Sequence, residues 1–120
     1  MAHPKMAPLI VKLRERTAAG SVAWEPTTRK DVFQASFPGY SVKISQEPSP
    51  SHAGLDVKVS IFNEEGALVD EVRDEELRDA LPASFQLLIE LYEMARGKAM
   101  GVDGAIDSIL GELTKDEIAF

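Results

Sequence analysis

Two histidines, no cysteine and a scatter of serines and carboxylates are all that this 120-residue chain offers to chemistry. Without cysteine there is no disulfide, no thiolate for a metal or iron–sulfur cluster, and no thiol nucleophile. His3 lies close to the N-terminus and His52 in the run Glu47-Pro48-Ser49-Pro50-Ser51-His52-Ala53-Gly54, and neither has a partner at metal-ligand spacing. Asp103 and Asp107, separated by Gly104, Ala105 and Ile106, do not match a calcium loop. Asp74-Glu75-Glu76 reads as the start of a helix, where acids favour the dipole. Glu64 and Glu65 are adjacent on a turn and point into water rather than sharing acid–base work. No serine stands in a G-x-S-x-G elbow, and Gly101-Val102-Asp103-Gly104 carries an acid where a phosphate loop has lysine. The expectation is a protein that is not an enzyme, with no catalytic residue, no metal and no cofactor.

Binding leaves more to weigh. The net charge of −7 is unevenly spread: residues 1–60 hold eight Lys and Arg against five Asp and Glu, and residues 61–120 hold five against fifteen. Such a split fits a basic layer packed on an acidic one, or two faces of opposite sign that meet in an oligomer. The last helical pattern carries Asp103, Asp107 and Glu112 with no base before Lys115, the wrong sign for phosphates, so specific duplex DNA binding is not expected. Lys5, Lys12, Arg14, Arg16, Arg29 and Lys30 form a basic set on the other half, read as a solvated face. The N-terminus lacks the apolar stretch of a signal peptide and no run has the length to cross a bilayer, so a cytoplasmic protein without membrane contact is expected.

These residues need elements to hold them. Pro8, then Leu9, Ile10, Leu13 and Thr17, predict a helix over about 8–18 that ends at Gly20. Val22 and Trp24 alternate with Ala23 and Glu25 and predict a short strand before Pro26. Phe33, Ala35 and Phe37, the turn Pro38-Gly39, and Tyr40, Val42 and Ile44 predict a β-hairpin. The Pro/Ser-rich run 47–54 reads as an exposed loop, followed by a strand with Leu55, Val57, Val59 and Ile61, the turn Asn63-Glu64-Glu65-Gly66, and a last strand over 67–72. Strict alternation means one covered face, with Val42, Ile44, Val57 and Val59 inside, and one wet face bearing Lys43 and Lys58. Asp74 is an expected N-cap, Pro82 interrupts, and a long helix follows over 83–100. Ala105, Ile106, Ile109, Leu110 and Leu113 give a final helix a stripe expected to be buried, and the chain after Thr114 reads as loose. The fold class is therefore α+β: one domain over 1–120 with an ordered core of about 8–114. It has two layers, an antiparallel sheet of four or five strands with the N-terminal and C-terminal helices packed on one face.

The run Leu91-Tyr92-Glu93-Met94-Ala95-Arg96, continued by Gly101-Val102-Asp103 and closed by Ile109-Leu110-Gly111-Glu112-Leu113, resembles the C-terminal end of a family of small uncharacterised bacterial proteins. Thr17, Gly20, Trp24, Phe33 and the Asn63-Glu64-Glu65-Gly66 turn are similar to the same family. The resemblance implies a bacterial origin and the order helix, sheet, helices. It brings no activity and no site residues.

The apolar positions of the 83–100 helix spread over roughly 220°, whereas a surface helix needs little more than a 100° stripe. Leu87, Leu91 and Met94, on the side away from Phe85 and Ile89, are the candidates for a second contact. The function expected from this excess is a non-enzymatic protein-interaction module that binds a protein partner or itself, with a homodimer as the specific form. The competing account is that the final helix folds back over Leu87, Leu91 and Met94 within one chain. The alternative function is a small-ligand-binding or accessory protein with a pocket near Trp24, Tyr92 and Arg96. The bland readings are a Trp24 that plugs the core and an Arg96 that forms a structural ion pair.

Overall fold

Two hydrophobic rhythms, period two in the middle of the chain and period 3.6 at its ends, build two layers. A computed structural model describes residues 3–118. The elements are α1 (Met6–Ala18), β1 (Trp24–Pro26), β2 (Val32–Phe37), β3 (Tyr40–Pro48), β4 (Leu55–Asn63), β5 (Leu68–Arg73), α2 (Asp74–Leu77), α3 (Ser84–Met100) and α4 (Val102–Ile118). The strands form one antiparallel meander in sequence order, so the chain is α+β.

The pairing carries the alternation across the sheet. Phe33 opposes Ile44, Ile44 opposes Val59 and Val59 opposes Val72, which places these residues with Ala35, Val42 and Val57 on one buried face. The β2–β3 hairpin closes tightly because Pro38 fixes one turn residue and Gly39 takes a φ of 78° that a side chain would resist. At the next turn, the Asn63 carboxamide oxygen accepts from the backbone N–H groups of Glu65 and Ala67.

Helices α1 and α3 cover the buried face. Met6, Ala7, Ile10 and Leu13 of α1 join Leu88, Leu91, Tyr92 and Ala95 of α3 in one core with the strand residues. Trp24 is a core plug, and its indole N–H donates to the Thr17 hydroxyl at 3.0 Å, tying β1 to the end of α1. The Phe33 and Tyr92 rings pack with centroids 5.7 Å apart.

Several local expectations shift. Helix α1 starts two residues earlier than the proline signal, and β3 runs through Glu47 to Pro48, which pairs with Leu55, so the loop shrinks to 49–54. The N-cap of α2 is Arg73, whose backbone N–H donates to Glu76, and Asp74 is already inside the helix and buried. The outer face of the sheet is only partly wet. Ser45 and Ser60 are buried there, Lys58 lies 3.0 Å from Glu47 and 3.8 Å from Glu71, and the Lys43 ammonium sits 4.7 Å from the Phe62 ring centre.

The largest difference is α4. It runs on to Ile118, past the point where the chain was expected to loosen, and it does not join the helical layer. Gly101, with a φ of 64°, stops α3 and redirects the chain. Helix α4 then projects away, giving the molecule dimensions of 62 × 33 × 25 Å.

Candidate functional site

Beyond Val102, helix α4 carries an apolar stripe that is open to solvent among the described residues. Val102, Ile106, Ile109, Leu110 and Leu113 recur at i, i+4, i+7, i+8 and i+11, which gathers them within about 100° of the helix circumference. The stripe expected to be buried is instead open: Ile106, Ile109, Leu110 and Leu113 are 51–60% exposed. Asp103, Asp107 and Glu112 add negative charge to the same helix.

The other candidate residues on α3 lie where the sheet and α1 put them. Leu91 is fully buried in the core, so it cannot meet a partner, and this corrects its place beside Leu87 and Met94. Those two are half-buried, on the flank that α1 covers. Phe85, expected on the inner side, is exposed. The wide apolar sector thus has two neighbours within the chain, the sheet below and α1 beside it. A helical wheel could not say which edge of so wide a sector faces in.

Between α1 and α3 runs an open groove of about 500 Å³, floored by Val11, Ala18, Ala83 and Leu87 and crossed by the Arg14–Glu90 ion pair at 2.6 Å. Hydrogen bonds from Arg14 and then from Gln86 hold the Glu90 carboxyl below its ordinary range. Arg16 of α1 and Lys5 at its N-cap make no ion pair among the described residues, so positive charge stays unspent there.

Of the three residues expected around a ligand pocket, Tyr92 and Arg96 line one cleft. A cleft of about 500 Å³ opens between α3 and the β2–β3 side, lined by Tyr92 and Arg96 together with Asp31, Gln46 and Glu93. Trp24 does not line it. Arg96 is exposed and makes no ion pair among the described residues, in place of the structural pair expected for it. Burial, then the nearby Asp31 charge, push the Tyr92 phenol above its ordinary value against the opposing pull of Arg96.

A third constellation lies at the far edge of the outer sheet face, and the sequence did not reveal it. Register sets Glu47 directly opposite Asp56, a pair of like charges that needs a cation. Arg73 supplies it, with Nη2 3.1 Å from Glu47 and Nη1 3.5 Å from Asp56. Burial pushes Glu47 up, but Lys58 and Arg73 together outweigh this and hold its carboxyl below the ordinary value. Asp56 is fully buried although it sits on the polar face, because the 49–54 loop closes over it and His52 Nε2 reaches its Oδ1 at 2.9 Å. His52 Nδ1 accepts the Gly54 N–H, which leaves Nε2 as the donor to Asp56. Glu75 stands 3.8 Å from His52 Nε2 and accepts from the Ser51 hydroxyl at 2.6 Å. Asp74 is buried beside them, and burial, then the Asp56 charge, raise its carboxyl above the ordinary range.

The fold and these surfaces define a five-stranded antiparallel meander under two helices, with a third long helix left free. The chain matches no protein-family model, no curated protein and no solved structure. Among the described residues, no helix is long and apolar enough to cross a membrane.

Proposed function

We propose that this protein is a non-enzymatic protein-interaction module that forms a homodimer through α4. One observation carries the reading: four large apolar side chains of α4 are more than half exposed on one stripe. A lone helix of this length is marginal in water, because propagation barely offsets nucleation when no tertiary face is buried. Helix α4 therefore needs a surface to lie on.

A second copy supplies one of matching chemistry. The α1–α3 groove has an apolar floor of Val11, Ala18 and Leu87 rimmed by Arg14, Glu15 and Glu90, and beyond it Arg16 on α1 and Lys5 at its N-cap carry positive charge. Asp103, Asp107 and Glu112 of a partner's α4 are of the opposite sign, which favours one orientation more than it adds affinity. The exchange is reciprocal, as closed two-fold association requires.

Sedimentation equilibrium over a wide concentration range tests this. The expected result is a dimer that the double variant Ile109→Asp, Leu113→Asp converts to monomer without changing its melting curve at low concentration. A single monomer mass for the wild-type chain at tens of micromolar removes the homodimer.

A second reading has its own support. The cleft holding Tyr92, Arg96, Asp31, Gln46 and Glu93 presents a guanidinium and a phenol between two carboxylates, which suits a small polar ligand. It gains weight if the chain proves monomeric.

A further inference from the structure

The loop-covered acids on the outer sheet face have a charge deficit of their own. His52 Nε2, one Asp56 oxygen and one Glu75 oxygen all lie within 4.8 Å of one another. The spacings from His52 are 2.9 Å to Asp56 and 3.8 Å to Glu75. Ligand atoms around a dication bound at about 2.1 Å stand roughly 3–3.5 Å apart, so small side-chain movements bring these three to one centre.

An independent feature points the same way. Asp74 is only 6% exposed, and its Oδ1 has no hydrogen-bond partner. Asp74 directly precedes Glu75 in the chain, and besides burial the charges of Asp56, Glu75 and His52 all act on its carboxyl. A buried charge is costly unless it is paired. The cation already present does not reach it: Arg73 is divided between Glu47 and Asp56. His52 in its present tautomer is a neutral ring. Asp56, Asp74 and Glu75 thus share less positive charge than they carry negative.

We propose that His52, Asp56 and Glu75, with the buried carboxyl of Asp74 adding negative charge beside them, form a binding site for a first-row transition-metal dication of the manganese-to-zinc type. The imidazole sets the class, since magnesium and calcium prefer all-oxygen shells while manganese and zinc accept mixed nitrogen and oxygen ligands. Arg73 stays on Asp56 Oδ2 and orients the carboxylate while Oδ1 turns to the metal. Binding moves the imidazole proton from Nε2 to Nδ1. The Gly54 N–H then loses its acceptor, and the Ser51 hydroxyl gives up Glu75, so the 49–54 loop must rearrange as the metal enters.

Titration calorimetry on the full chain, stripped with a chelator and dialysed, tests the site with Zn²⁺ and Mn²⁺ and with Mg²⁺ and Ca²⁺ as comparisons. One equivalent of Zn²⁺ or Mn²⁺ is expected to bind and to raise the melting temperature, while moving the Gly54 amide resonance in the Zn²⁺-loaded protein. His52→Ala and Asp74→Asn are each expected to weaken binding by about tenfold or more, and His3→Ala to leave it unchanged. Asp74→Asn is the decisive variant because it removes the charge of a buried carboxylate whose Oδ1 has no hydrogen-bond partner and should fold at least as well as the wild type. The proposal is overturned if neither Zn²⁺ nor Mn²⁺ binds, if both variants bind as the wild type does, if His3→Ala abolishes binding, or if Mg²⁺ or Ca²⁺ binds as tightly as Zn²⁺.

Discussion

Helices α3 and α4 are neighbours in the chain, each 17 residues long, each amphipathic, and they meet opposite fates. Leu88, Leu91 and Ala95 of α3 are completely buried, whereas Ile106, Ile109, Leu110 and Leu113 of α4 are open to solvent. The pattern of apolar residues is as regular in the exposed helix as in the buried one. Hydrophobic periodicity therefore reports that a face needs cover and says nothing of which chain provides it. What separates the two helices is Gly101, whose left-handed conformation turns α4 out of the layer.

The largest expected effect comes from making one truncation in each helix. Leu91→Ala removes a fully buried side chain and should cost about 2–5 kcal/mol in denaturant unfolding. Leu110→Ala, followed at a concentration where the protein is monomeric, should cost less than about 0.5 kcal/mol. Equal losses would break the comparison, for they would mean that α4 packs on its own chain in solution.

A smaller effect sharpens it. In dilute solution the backbone amides of α3 should resist hydrogen exchange while those of α4 exchange quickly, since few buried contacts hold α4 closed. Raising the protein concentration should protect α4 if a second copy covers its stripe. Protection of α4 that is high and independent of concentration would instead favour the folded-back monomer.

How much of this was legible beforehand depends on the kind of information each feature needs. Alternation in Val42, Ile44, Val57 and Val59 sufficed for the sheet and its buried face, because side chains on a strand have only two directions. Trp24 as a core plug followed from its place on a short apolar strand. The inner edge of α3 was not legible. Its sector is wide enough to serve two neighbours, so Leu91 and Phe85 exchanged their expected places. The His52, Asp56, Asp74 and Glu75 group was hidden for a different reason: it is assembled by the loop closing between β3 and β4 and by β5 delivering Arg73, Asp74 and Glu75 alongside. One signal was available. Continuing the β3–β4 register to Pro48 and Leu55 sets Glu47 against Asp56, and two facing acids call for a cation between them.

The last and smallest effect separates the sheet from α4 by acid. In the folded chain the Glu47 carboxyl lies below its ordinary value, so its ion pairs with Lys58 and Arg73 contribute stability that is fully present above the unfolded-state pKa and lost as pH falls through the folded one. Melting curves recorded downward from neutrality should therefore decline through the acid range. Glu47→Gln should flatten part of that decline and cost about 1 kcal/mol or less at neutral pH, the scale of a partly exposed pair. Because the Glu47 side chain lies on the outer face of the sheet, with Lys58 and Arg73, the same substitution should leave the concentration dependence of α4 protection untouched. If Glu47→Gln altered α4 protection, body and helix would be coupled through contacts that the extended position of α4 does not provide. The contrast between a helix covered by its own chain and one awaiting another would then have to be abandoned.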